Sequence, residues 1–299
     1  MNSDSQIETR RRFWLFGLWL VLSLAIFWKP CVALLHYSLT NDNASHIPLI
    51  PFISAWLIYL QKKQIFQSVS SEPVLALAPL AGAAAVSAWT WHNSGPAVGV
   101  DQVSGYITAL VLVLISGFLF FFGKTAARKG RFALLFLFLA VPLPESLLNY
   151  AIYYLQKGST DVAELIFDLA GVPALREGFV FHLAHLNIEV AKECSGIRSS
   201  IALFILALLV GHLFLRTWWK QTLFVVVGLI IMIVKNGIRI ATLTILAQYV
   251  DPSFLFGRLH HEGGVVFFLI GLLLLLPVFW WLQRGEKSAG PLPNASAPA

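Results

Sequence analysis

The sequence predicts an all-α, polytopic membrane protein with about eight transmembrane helices, and three observations predict it. Hydrophobic residues make up 58% of the 299 and charged residues only 12%, where an ordinary soluble domain carries about 25% charged residues. Apolar stretches recur along the chain, each close to the roughly 20 residues a helix needs to cross a hydrocarbon core about 30 Å thick. Lysine and arginine gather in alternate short loops between those stretches, the charge pattern that sets orientation across a bilayer.

The first apolar run, 13–35, follows Arg10, Arg11 and Arg12, and no small-residue cleavage site comes before Trp28, Lys29 and Pro30. It therefore reads as a retained helix rather than a removed signal. Seven more runs follow, near 46–61, 73–91, 104–123, 131–150, 196–215, 221–249 and 264–282. The second is short and proline-rich, and the fifth is broken at Pro142 and Pro144, which lack the N–H a continuous helix needs.

Positive charge at the N-terminal triplet, Lys62 with Lys63, the cluster Lys124, Arg128, Lys129 and Arg131, Arg216 with Lys220, and Arg284 with Lys287 alternates with poorly charged or acidic loops. Both termini are thus expected in the cytoplasm, residues 1–12 as a short leading segment and the proline-rich 285–299 as a disordered tail. A single transmembrane domain, 13–284, lies between them, and nothing in it suggests a nucleic-acid partner or a cofactor.

The one sizeable segment expected outside the membrane is the extracytoplasmic loop 151–193, between helices five and six. From Thr160 to Ala170, Val162, Leu165, Ile166 and Leu169 recur at helical spacing opposite Asp161, Glu164 and Asp168, the pattern of a helix lying on the outer surface. Residues 179–190 alternate apolar and polar, as a short strand or extended cover does. Together they are expected to form a short outer lid over what begins at Cys194.

Chemistry concentrates in three places. Cys194 stands at the entrance of helix six, where unpaired N–H groups and the positive end of the helix dipole favour a thiolate, and Arg198 follows one turn later. Lys235, Asn236 and Arg239 lie inside the apolar run of helix seven, where each cation costs about 2.5–3.5 kcal/mol at the bilayer centre and so calls for a role. His260, His261 and Glu262 precede helix eight; they lack the ligand spacing of a metal site, and a histidine there suits proton transfer. Each has a plainer reading taken alone: Cys194 as packing, Arg198 and Arg239 as snorkelling cations, the histidines as interfacial residues. Cys31 is more simply a packing residue than a disulfide partner of Cys194.

The order of these motifs resembles the exosortase and archaeosortase family of polytopic cysteine transpeptidases. The resemblance rests on Cys-Ser-Gly-x-Arg-Ser at Cys194 to Ser199, Asn-x-x-Arg-Ile at Asn236 to Ile240, and a histidine before Gly264, Phe267 and Phe268. Val141-Pro142-Leu143-Pro144 and the loop through Gly171-Val172-Pro173 are similar to the family as well, so most of 45–282 is covered.

What the resemblance implies is an enzyme of the cell (inner) membrane, with its active site on the extracytoplasmic side. It would cleave membrane-anchored proteins at a C-terminal sorting signal and transfer them to a lipid or surface-glycan acceptor. Cys194, Arg239 and His260 would be catalytic, and Arg198, Asn236 and His261 supporting; His260 is chosen over His261 by its spacing to Gly264. A guanidinium stays protonated, so Arg239 suits oxyanion stabilisation or substrate orientation better than proton transfer. Two other readings stand beside this one: a transporter in which Lys235, Arg239 and His260 line an anion path, and a non-catalytic component of exopolysaccharide assembly.

Overall fold

A computed structural model of the chain describes residues 3–93, 95, 99–184, 186–192, 196–255 and 264–284. It is all-α apart from one small three-stranded sheet, and six helices are long and apolar enough to cross a membrane, or eight if each of two bent pairs is one span. These eight correspond one for one to the apolar runs of the sequence. The chain divides into two compact units, Met1–Glu145 and Ser146–Ala299.

In the first unit, the expected helix 13–35 is instead a bent pair, α1 (Ser3–Ile26) and α2 (Trp28–Thr40), turned by 75° at Phe27. Pro30 explains the break. Its ring would strike the carbonyl of Ile26 in a continuous helix, and restarting at Trp28 puts it in a first turn, where N–H groups have no intrahelical partner. Two 3₁₀ turns lead into α3 (Ile50–Leu60), and α4 (Lys62–Ile65) and α5 (Pro73–His92) follow.

The long α6 (Val100–Lys129) is kinked at Gly123, whose φ of 81° is left-handed. A Cβ there would lie 2.7 Å from the Ser70 carbonyl, so glycine alone lets that loop approach. Beside the kink, Phe16, Phe66, Phe118 and Phe122 pack edge-to-face or tilted around Ile65 and Ala126. The short α7 (Arg131–Phe136) ends in a 3₁₀ turn, and Val141 is extended before Pro142.

Nearly all of α8 (Glu145–Ala170) lies in the second unit. It runs unbroken through 151–170, so the segment expected to be loop from residue 151, with a separate surface helix from Thr160, is one continuous helix. Its buried stripe also differs from the expected one: Ile152, Gln156, Ser159, Thr160, Ala163 and Phe167 are buried, while Leu165 and Leu169 stay exposed. The small and polar members had masked the periodicity.

The expected cover is an antiparallel sheet in the order β1 (Leu175–Glu177), β2 (Val180–His182), β3 (Asn187–Glu189). Arg176 latches it to α8 through Asp161 at 2.8 Å and Glu164 at 2.6 Å. Burial works against the Arg176 charge, but these hydrogen bonds and carboxylates outweigh it and hold the guanidinium above its ordinary pKa. Beneath the sheet, Phe167 and Phe181 meet edge-to-face at 5.0 Å, with Ala163, Val190, Ile240 and Ala241 around them.

Among the described residues, three further α-helices follow in this unit: α9 (Ile197–Phe214), α10 (Trp218–Tyr249) and α11 (Gly264–Arg284). All three pack against one another, with Gly228 against Ala207 and Gly271 against Leu203. Such small residues let helices approach closely where lipid offers no hydrophobic drive between them.

Candidate active site

The site grows from the middle of α10, where the sequence puts Lys235 and Asn236 in an otherwise apolar stretch. Both are 1% exposed. Each makes a side-chain hydrogen bond across a helix interface, as buried polar groups tend to. Lys235 lays its aliphatic stem along Gly271 of α11 and its Nζ donates to Ser199 Oγ in the first turn of α9. Asn236 Nδ2 donates to Ser159 Oγ of α8 at 3.0 Å.

Ser199 Oγ in turn donates to the Gly196 carbonyl at 3.0 Å. Its proton is therefore committed to the backbone, and the Lys235–Ser199 pair is a tether for the start of α9 rather than a nucleophile with its base. Gly196 caps that helix with a left-handed φ of 68° and is buried against Asn236: a Cβ would lie 2.5 Å from Asn236 Oδ1. Any L side chain would be strained and obstructed there. Gly237 plays the matching part toward α8, since a Cβ would come within 2.5 Å of Val162 and 3.0 Å of the Ser159 carbonyl.

Arg239 follows Lys235 by one turn, about 6 Å along the axis. It is half-buried and engaged with neighbouring groups, and Arg198 is exposed and likewise engaged.

These contacts tie together two of the three sequence motifs, residue for residue. The family model for transmembrane exosortases matches residues 38–277. The chain belongs to the transmembrane exosortase family. No curated protein and no solved structure matches it. The exosortase match takes in α8, the sheet, α9, α10 and most of α11, and so contains the whole tethered junction.

Of the expected site residues, Asn236 is brought against Gly196, and Arg239 lies one helical turn past the Lys235–Ser199 tether. Cys194, His260 and His261 lie outside the described residues, as does the tail 285–299. Among the described residues no group of three or more His, Cys, Asp or Glu is placed to hold a metal ion. Sequence reading passed over Ser159 and the supporting role of Lys235. Gln156, Ser159 and Thr160, spaced i, i+3 and i+4 within an apolar helix, were the available signal for a buried polar face on α8.

Proposed function

We propose that this exosortase-family protein is a membrane-embedded cysteine protease or transpeptidase that processes C-terminal sorting signals of exported, membrane-anchored proteins. Cys194 is the nucleophile, Arg239 orients the scissile carbonyl or stabilises its oxyanion, and His260 moves the proton. Arg198, Asn236 and His261 support them, and the reaction takes place on the extracytoplasmic side. The observation that supports this reading is the tether itself. Lys235 and Asn236, neighbours of Arg239 on one helix, hold Ser199 and crowd Gly196, which stands two residues after Cys194 in the chain. Two costly buried polar groups spent on one helix start suit a reaction that needs its nucleophile fixed relative to an arginine.

In this mechanism the Cys194 thiolate attacks the scissile carbonyl, and its electron pair forms the C–S bond. Arg239 donors meet the oxygen as it gains negative charge. The C–N bond then breaks, the leaving amine takes a proton from histidine, and an acyl-thioester remains. Water or an amine resolves it, returning the thiolate and giving either a cleaved or a transferred C-terminus.

The test is mass spectrometry of the mature C-terminus of a co-expressed, signal-bearing substrate. Wild type is expected to give a shortened C-terminus, bare for hydrolysis or carrying added mass for transfer. Cys194→Ala should abolish processing while the protein still inserts. A membrane-impermeant thiol reagent should label Cys194 from outside; processing that survives the substitution, or labelling only from the cytoplasm, would sink the reading.

A further inference from the structure

Resting on the cysteine-protease reading above, we propose that the cleft between the first half of α8 and the outer edge of β3 is a substrate subsite that holds an extended peptide segment beside the scissile bond. The cleft has a volume of ≈530 Å³, within the roughly 300–1,000 Å³ of ordinary ligand pockets. Its lining comes from α8, from Phe179 just before β2, and from β3 with the residues after it, and α8 is fixed to this sheet edge because the buried Gln156 amide donates to the Val190 carbonyl at the end of β3. A preformed wall of this kind lowers the ordering cost of binding.

Three features select a peptide. First, β3 is an edge strand: Val180 pairs with Glu189 and His182 with Asn187, while Val190 N–H bonds back to the Phe179 carbonyl. That alternation turns the N–H groups of Asn187 and Glu189 away from β2, toward the open edge, where an added strand would pair. Second, the lining is mixed. Tyr153 and Phe179 set their rings edge-to-face at 5.8 Å, a surface for one apolar side chain, while the exposed Asn149 offers an amide to peptide groups. An acyl chain has no use for four polar lining residues.

The rim charges, Glu189 and Lys192, are opposite in sign, so the cleft selects neither an anion nor a cation by net charge. Third, the lining runs along the chain to Lys192, two residues before Cys194.

The experiment uses the full chain in membranes. Benzoylphenylalanine replaces Tyr153 in a Cys194→Ala background, which reads binding without turnover, and the signal-bearing substrate is co-expressed. The same photoprobe replacing Leu169, exposed on the same helix, is the control. Adducts from position 153 are expected on substrate residues flanking the cleavage point, at least about tenfold above the control. Equal yields at the two positions, or adducts carried by lipid, overturn the subsite.

Wild type is assayed in parallel so that the two readings fail separately. Processing by wild type without an adduct at 153 overturns the cleft and leaves the cysteine reading standing. An adduct without processing keeps the peptide cleft and overturns the cysteine reading. In the Cys194-containing protein, Tyr153→Ala should raise KM about tenfold, the equivalent of about 1.4 kcal/mol, with kcat and the rate of Cys194 alkylation unchanged. A fall in kcat at unchanged KM counts against the subsite.

Discussion

Among the described residues, the unit ending at Glu145 buries only hydroxyls as its polar groups, Ser23, Ser38, Ser54, Thr90, Ser104 and Ser116, whereas the second unit adds Gln156, Lys235 and Asn236 to its hydroxyls. The difference is physical. A serine hydroxyl has a single proton to place, and one carbonyl takes it, whether in its own helix, as Trp19 does for Ser23 at 2.7 Å, or in a neighbouring one, as Ala76 of α5 does for Ser116 of α6 at 2.8 Å. An amide or an ammonium has more hydrogen-bonding groups than one carbonyl can satisfy. Lys235 and Asn236 take partners from α9 and α8, which makes the position of those helices specific rather than merely close-packed. The first unit thus buries hydroxyls alone, and the second buries an amine and two amides as well.

This contrast can be broken by substitution. The largest effect is expected from Arg239→Lys, which keeps the charge and loses the planar fork of donors; processing should fall about a hundredfold or more. Near-normal cleavage by that variant would remove the geometric role of the guanidinium.

Ser199→Ala comes next and separates tether from charge. It leaves the Lys235 ammonium buried without its acceptor, and it should cost about 1.5–3 kcal/mol of stability in a detergent unfolding assay. Lys235→Met removes the charge along with the tether, and its stability should stay closer to wild type while processing falls. If Lys235→Met proves the less stable of the two, the tether reading is wrong.

Gly196→Ala should cost about 1–2 kcal/mol for the left-handed backbone alone and should also displace Asn236, lowering turnover per folded molecule. A variant that processes normally would show that the α9 start tolerates movement. Ser116→Ala, in the first unit, is expected to have the smallest effect: about 1 kcal/mol of stability, with processing per folded molecule unchanged. A drop in its specific activity would erase the distinction between the two units.

Much of this was legible along the chain. Eight apolar runs anticipate the helices, and Pro142 with Pro144 anticipates the break between α7 and α8. The alternation of 179–190 anticipates extended chain where β2 and β3 lie, but not β1 at 175–177 or the pairing of three strands. The bend at Phe27 is not in the sequence reading because the apolar run 13–35 carries straight through Pro30, whose ring would strike the Ile26 carbonyl in a continuous helix. The continuity of α8 past residue 150 was missed because Gln156, Ser159, Thr160 and Ala163 are small or polar, so their shared burial leaves no hydrophobic stripe to read. The chemistry of Lys235 was visible as an anomaly, but its partner was not.

By itself the sequence determined the membrane-spanning, all-α class, the order of the helices and which residues are the candidates for chemistry. These follow from composition over some 20 residues and from motifs a few residues long, and both are local. Only the tertiary structure decided that Lys235 reaches Ser199, 36 residues away, and Asn236 reaches Ser159, 77 away. Which face of one helix meets which face of another depends on small-residue packing at Gly196, Gly237 and Gly271, where the absence of a side chain is what allows the contact.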